Sequence, residues 1–278
     1  MVTQKAQLII ETLNLMGYDA VAIGDDDFSL GKEFLLEISK KTHFPFLSSN
    51  VLDEGSGKLL FQPYVIKEIN GLRIGIFALL SPDVFLGPTD LRKNGLTFQS
   101  PIDVAHSMVK ELQPKTDLII LLSHLGYQKD MELAQAVQGI HLIVGGHTGI
   151  NLAHPPLIKN TLILQTAPKG MYAGRLDLIF NNNESAFYNS TTRRGLENNL
   201  KSLNQRLNSP DVPEAERARW QKAKEDAERS LKQFHGKNEF TNSILPLTEQ
   251  MKDDPYVAKM IEAYRTKFQE PLKPVSQK

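Results

Sequence analysis

The chain has 278 residues, of which 41% are hydrophobic and 23% charged, and its 32 basic side chains balance its 32 acidic ones. This is ordinary globular composition, and it excludes a fibrous, collagen-like or wholly disordered protein. The sequence contains no cysteine, which excludes disulfides, thiolate zinc sites and thiol catalysis. No apolar stretch approaches the roughly 20 residues that span a bilayer. The even charge balance indicates neither nucleic acid nor a membrane surface as a partner.

Apolar spacing in the first 80 residues predicts helices alternating with short strands. In chain order it predicts a helix over 5–16, a strand over 20–23, a helix over 31–41 and a strand over 45–47. Two β-rich runs follow, at 64–69 and 72–80, separated only by Asn70-Gly71. Asn-Gly readily adopts the positive φ angles of a type I′ turn, so these runs are predicted to form a hairpin.

The next hundred residues continue the alternation. The pattern predicts a helix over 102–113, a strand over 118–122, a helix over 129–138, a strand over 141–144 and a last pair of strands at 162–165 and 174–180. Three of the strands, at 20–23, 118–122 and 141–144, are uninterrupted apolar runs, which is typical of strands buried on both faces and joined by helical crossovers. We therefore predict an α/β fold with a mixed, mostly parallel sheet covered by helices.

The character of the sequence changes after about Asn181-Asn182-Asn183. Leucines recur with 4-3-4 spacing at Leu196, Leu200, Leu203 and Leu207. This spacing gives one apolar seam along a helix, and a charged helix over 214–234 follows after a short connection. Two helices joined in this way predict an antiparallel helical hairpin.

These observations predict two structural units. Residues 1–190 are expected to form the α/β domain, and residues 191–278 a helical extension that ends in a further helix near 255–268. The hairpin at 196–234 either packs on the domain as a solvated extension or binds a protein partner.

Polar side chains follow three of the predicted buried strands. Residues 24–28 read Gly-Asp-Asp-Asp-Phe, residues 123–126 Ser-His-Leu-Gly, and residues 145–149 Gly-Gly-His-Thr-Gly. Ligands of α/β proteins bind at the carboxyl ends of strands, and we expect the three segments to meet at one edge of one sheet. Successive carboxylates repel one another, and a bound cation compensates for this. The pattern indicates a metal or phosphate site; the alternative is turn-capping aspartates and structural, hydrogen-bonded histidines.

Together with Ser-Asn-Val at 49–51 and Gly-Arg-Leu-Asp-Leu at 174–178, these segments resemble the calcineurin-like metallophosphoesterases, and among them the 5′-nucleotidase/UDP-sugar hydrolase branch. The resemblance covers residues 5–180. It implies a metallophosphoesterase-like fold and hydrolysis of a small phosphate ester, as in nucleotide catabolism. In that family two divalent metal ions activate a water that attacks phosphorus.

The resemblance also implies roles for single residues. Asp25, His124 and His147 match ligands of the second metal ion. Asp26 stands at the position of the family's catalytic histidine, and Asn50 matches a position on the substrate side.

The chain departs from the family pattern at several points. The family's opening Asp-x-His motif and its bridging aspartate have no counterpart in this sequence, and Gly149 stands where a ligand of the first metal is expected. A carboxylate at Asp26 repels phosphate and donates no proton when it is ionised. The resemblance therefore implies one divalent ion, such as Mn²⁺ or Zn²⁺, in place of two.

Two functions follow from this pattern. The first is a metal-dependent, 5′-nucleotidase-like phosphoesterase that is impaired in the chain as written. The second is a non-catalytic binding or scaffold remnant of the same fold, acting through 196–234. A nucleic-acid binder would need a basic, aromatic surface that the sequence lacks. The resemblance implies a periplasmic or extracellular location, whereas a true start at Met1 would imply the cytoplasm.

Overall fold

The computed structural model describes residues 2–182, 186–210 and 212–268. Its helices are α1 (Val2–Met16), α2 (Lys32–Ser39), α3 (Pro101–Leu112), α4 (Tyr127–Ala136), α5 (Ser190–Leu207), α6 (Glu214–Lys232) and α7 (Pro255–Phe268). Its strands are β1 (Val21–Ala22), β2 (Phe46–Leu47), β3 (Val51–Asp53), β4 (Tyr64–Ile69), β5 (Leu72–Leu80), β6 (Leu96–Phe98), β7 (Leu118–His124), β8 (Leu142–Gly145), β9 (Leu157–Ile158), β10 (Thr161–Leu164), β11 (Tyr172–Ile179), β12 (Phe187–Asn189) and β13 (Asn238–Pro246).

Six strands form the main sheet, in the order β4-β5-β7-β8-β10-β9. The four central strands run parallel, and the two edge strands are antiparallel to their neighbours. Phe77, Ile119 and Ile143 of the central strands are buried in one cluster with Leu112 of α3 and Leu133 of α4. Burial of these apolar side chains between sheet and helices is the main favourable term in such a core. The predicted α/β class, with a mixed and mostly parallel sheet, is confirmed.

The predicted hairpin joins β4 to β5. Asn70 has φ 53° and Gly71 has φ 81°, and both are positive, as a type I′ turn requires. Ile69 pairs directly with Leu72 across the turn. The two-residue connection therefore sets the register of the edge strand.

The strand at 21–22 does not hydrogen-bond to the main sheet, so the expectation that all three polar segments end strands of one sheet is wrong. β1 instead pairs in parallel with β2 and packs against β5 and β7. Ile23 and Phe28 are buried in a second core with Ile10 of α1 and Leu35 of α2. A short apolar run indicates burial, but it carries no information on which strand becomes its hydrogen-bonding neighbour.

The last two predicted strands also belong to different sheets and do not pair with each other. β10, whose Leu162 and Ile163 are fully buried, joins the main sheet beside β8. β11 pairs antiparallel with β13, with Leu176 opposite Asn242, and β12 lies parallel on the other side of β13. The polar sequence of β13 lacks apolar alternation, which is why the sequence pattern did not predict this strand.

Helices α5 and α6 pack together as the predicted hairpin. The side chain of Asn189 caps α5 by accepting the backbone N–H of Thr191 at 2.8 Å, and Leu203 and Ala227 are the buried apolar side chains of the pair. The hairpin lies between β12 and β13 in the chain, and β13 pairs with β11 across the expected boundary at residue 190. The division into two domains therefore stays a prediction. Among the described helices, none has the length and apolar content needed to cross a membrane.

Candidate metal centre

Asp25, His124 and His147 converge at the carboxyl ends of β1, β7 and β8. Asp25 begins a 3-10 turn over Asp25–Leu30 and is buried. Its Oδ1 lies 2.9 Å from Nε2 of His124 and 4.0 Å from Nδ1 of His147. One ligand atom from each of the three lies within 4.8 Å of the others. The sequence pattern predicted this meeting of side chains, although β1 belongs to a separate sheet.

Glycines leave the space that the His124 ring occupies. A Cβ atom on Gly24 would lie 2.8 Å from Cε1 of His124, and one on Gly146 would lie 3.3 Å from Nδ1 of the same ring. Real Cβ atoms are essentially never found at the first of these distances. The backbone before Asp25 and the backbone before His147 therefore both approach the imidazole closely.

His147 has a left-handed backbone conformation, with φ 68°. A residue with a Cβ atom adopts this region at a cost of about 1 to 2 kcal/mol. Its ring stands edge-on to that of His124, with ring centroids 5.2 Å apart and planes at 64°. Backbone strain of this kind is concentrated at functional sites, where neighbouring structure enforces it.

One carboxylate and two imidazoles form a ligand set that suits Zn²⁺ or Mn²⁺. Ligand atoms in a tetrahedral zinc site, at about 2 Å from the ion, stand about 3.3 Å apart. The separations between Asp25, His124 and His147 bracket this value, so small side-chain rotations would fit the three to one ion. Three protein ligands would leave a coordination position for water or substrate, as in catalytic zinc sites.

The three successive aspartates have separate roles. Asp25 faces the histidines, whereas the side chain of Asp26 is 91% exposed. Asp27 accepts the backbone N–H of Gly24 at 2.7 Å. The turn-capping alternative therefore describes Asp27, while Asp25 has the position expected of a ligand.

Arg92 forms ion pairs with two of these carboxylates, and the sequence pattern does not predict them. Its Nη1 donates to Oδ2 of Asp25 at 2.8 Å and to Oδ1 of Asp26 at 2.6 Å. Its Nη2 and Nε donate to Asp90 at 2.7 and 3.0 Å. The hydrogen bonds from Arg92 hold the pKa of Asp90 well below its usual range, and Asp90 in turn raises the pKa of Arg92. Arg92 lies in the loop between β5 and β6, where no periodicity or motif marks it.

Asn50 is fully buried. Its Nδ2 donates to the carbonyl groups of Leu80 and Gln99, and its Oδ1 accepts the N–H of Leu80. These bonds fix the loop after β2 to the end of β5. A substrate-side role for Asn50 gains no support from this burial, and it stays a prediction.

A second buried carboxylate, which the sequence pattern did not mark, lies behind the site. Asp130 of α4 is completely buried and accepts a hydrogen bond from Ser123, the residue before His124. Its Oδ2 has no hydrogen-bond partner within the described part of the chain, and a Cβ on Gly145 would approach that oxygen to 2.7 Å. Burial raises the pKa of Asp130 to about 6.

Known proteins resemble this chain in sequence. No protein-family model matches it. It is 30% identical over 212 residues to a 5′-nucleotidase of Vibrio cholerae, a match that covers 65% of this chain and 38% of that protein. It is 28% identical over 217 residues to the protein UshA of Escherichia coli, covering 67% of this chain and 40% of that protein. The chain thus spans about two fifths of the length of these relatives.

Solved structures share the fold. The 5′-nucleotidase precursor of Thermus thermophilus superposes with a TM-score of 0.67 at 22% identity, over 95% of this chain and 46% of that one. The calcineurin-like phosphoesterase YfkN of Bacillus subtilis superposes with a TM-score of 0.62 at 19% identity, over 94% and 73% of the two chains. In sequence the chain is thus similar to bacterial 5′-nucleotidases and UshA, and it shares its fold with 5′-nucleotidase and calcineurin-like phosphoesterase structures.

Proposed function

We propose that the protein is a metal-dependent phosphoesterase of the 5′-nucleotidase type, with one divalent ion held by Asp25, His124 and His147. The observation that carries the proposal is the convergence of these three side chains within 4.8 Å. The substrate class is a small phosphate ester, in keeping with the names of the relatives. The likeness to this branch supports action in the periplasm or outside the cell, which cell fractionation tests.

The chain's own residues prepare this site in three ways. Asp25, His124 and His147 would hold a divalent ion, which would supply Lewis acidity toward a phosphoryl oxygen and lower the pKa of a water molecule. Asp25 presents Oδ1 toward the two imidazoles because Arg92 holds its other oxygen. The strained backbone at His147 fixes the direction of the second imidazole. Asp26 stands at the solvent edge, where its ion pair with Arg92 reduces its repulsion of a phosphate group.

We expect the chain by itself to be a slow enzyme. Two-metal catalysis stabilises both the attacking and the leaving oxygen, and within the described residues one cluster of three metal-ligating side chains is present. A turnover of about 10 per second on p-nitrophenyl phosphate or AMP, typical of enzymes in general, would contradict a one-ion site.

Calorimetric titration of Zn²⁺ or Mn²⁺ tests the metal site directly. Loss of a residue that only supports a metal ligand typically weakens metal binding about 10- to 100-fold. His147→Ala removes a ligand itself and should weaken metal binding by more than this. His106→Ala is the matched control, because His106 is exposed on α3 and should leave the affinity unchanged. Equal affinity in wild type and His147→Ala would end the proposal.

The alternative function, a non-catalytic binding remnant, is favoured by one observation. Arg92 already pairs with Asp25, Asp26 and Asp90, so these carboxylates have a counter-charge within the protein. In that case the exposed hairpin at 196–234 would bind a protein partner. Absence of metal binding, combined with normal folding, would favour this function.

A further inference from the structure

Arg92 is held firmly on one side. Asp90 accepts hydrogen bonds from both Nε and Nη2 of its guanidinium, and the side chain of Asp90 is only 7% exposed. The guanidinium carbon also lies 5.5 Å from the ring centroid of Phe85. These contacts fix the plane of the guanidinium group and direct Nη1 toward the metal ligands.

The contacts of Nη1 differ in strength. Asp25 is buried and held by His124 as well, whereas Asp26 is 91% exposed. An ion pair with so exposed a carboxylate contributes little to stability. An anion from solvent can therefore displace the carboxylate of Asp26 from Arg92, while Asp25 and Asp90 keep their hydrogen bonds to it.

The local charge determines when an anion can bind there. Three carboxylates surround one guanidinium, so the metal-free site has an excess of two negative charges and repels phosphate. A divalent cation at the adjacent Asp25, His124 and His147 cancels that excess. Anion binding at Arg92 should consequently require the metal.

We propose that Arg92 binds a phosphoryl oxygen of the substrate beside the divalent ion, and that Asp26 turns into solvent when the phosphate arrives. Guanidinium groups match the geometry and charge of phosphate through paired N–H donors. Arg92 thus provides a fixed positive charge in a site that offers ligands for one metal ion. This inference rests on the proposed function, since it needs the metal to be bound.

The test is calorimetric titration of inorganic phosphate into the full chain, with and without one equivalent of Zn²⁺. Wild type should bind phosphate only when Zn²⁺ is present. Arg92→Gln should weaken phosphate binding by about 10- to 100-fold, the range for loss of a charge-assisted hydrogen bond, and Arg92→Lys by less. Asp26→Asn should strengthen it, because the competing carboxylate is gone. Arg175→Gln is the matched control, since Arg175 is exposed on β11 and should change nothing.

The outcomes separate the inference from the function on which it rests. Failure of wild type to bind Zn²⁺ would overturn both. Zn²⁺ binding with phosphate affinity unchanged in Arg92→Gln would overturn the role of Arg92 alone. If Arg92→Gln unfolds or loses Zn²⁺, then Arg92→Lys decides, because lysine keeps the positive charge beside Asp25 but lacks the paired N–H donors, and wild-type phosphate affinity in that variant would overturn the role of Arg92.

Discussion

Gly24, beside the candidate metal ligands Asp25 and His124, and Gly195, in helix α5, differ in what an added methyl group would meet. At Gly24 a Cβ would lie 2.8 Å from the His124 ring, whereas at Gly195 nothing lies within 4 Å. At the carboxyl edge of the sheet, the backbone thus lies in close contact with the His124 side chain. The hairpin is a solvated helix pair whose stability depends on helix propensity and a narrow seam. The same substitution should have opposite effects in the two regions.

The largest expected effect is that of Gly24→Ala. The new methyl group must displace the His124 ring, which Asp25 holds by a hydrogen bond, and overpacking of this kind costs about 3 kcal/mol at the upper end. Misplacing a ligand should also weaken Zn²⁺ binding by about 10- to 100-fold. Urea unfolding and Zn²⁺ calorimetry measure the two effects. A stability and a Zn²⁺ affinity equal to those of wild type would show that the His124 ring can move aside. Gly24 would then be no more restricted than Gly195.

A smaller effect, dependent on pH, is expected for Asp130→Asn. Because burial raises the folded-state pKa to about 6 from 3.8, folded protein keeps a proton between these values that the unfolded chain has released. Stability should therefore fall as pH rises through this interval, by at most about 3 kcal/mol in all. Asparagine does not titrate, so the variant should gain stability relative to wild type between pH 4 and pH 7.

Urea midpoints across that pH range check this prediction. Glu197→Gln provides the control from the hairpin, since Glu197 is half exposed in its ion pair with Arg193 and such pairs contribute little. A constant difference between Asp130→Asn and wild type at every pH would show that Asp130 titrates normally in the folded state.

Leu203→Ala should weaken the hairpin without affecting the candidate metal ligands Asp25, His124 and His147. Leu203 is buried on the seam of α5, but it belongs to none of the large apolar clusters among the described residues. We expect a loss of about 2 kcal/mol, the lower end for leucine truncation, with unchanged Zn²⁺ affinity. A parallel loss of Zn²⁺ affinity would mean that the two regions are coupled.

The smallest expected effect is the gain from Gly195→Ala. Gly195 is exposed inside α5, and alanine there should stabilise the protein by about 1 kcal/mol, because it has the higher helix propensity. A thermal unfolding midpoint above that of wild type would confirm the gain. A lower midpoint would indicate that the added methyl group at residue 195 disturbs a neighbouring contact.

The sequence predicted the α/β class and the meeting of Asp25, His124 and His147 because both depend on local patterns. Continuous apolar runs mark buried strands, and polar residues at their ends mark a shared edge. The sequence could not predict Arg92 or Asp130, since each acquires its role only through partners distant in the chain. The pairing of β13 with β11 could not be predicted either, because the two strands are distant in the chain and because β13 has a polar composition.

The central position of β13 has a consequence for the order of events during synthesis. β11 and β12 leave the ribosome before α5 and α6, and each finds its strand partner only when β13 has emerged. Until then both strands have open edges, which pair readily with other chains. The hairpin of α5 and α6 is made of local contacts and therefore forms quickly. Once formed, it brings the start of β13 close to the end of β12. A protein shortened before residue 238 would leave both strands unpaired and remove Phe240 from its buried cluster with Leu118, Leu142 and Leu162, and it should aggregate, whereas one that ends beyond residue 246 keeps both contacts.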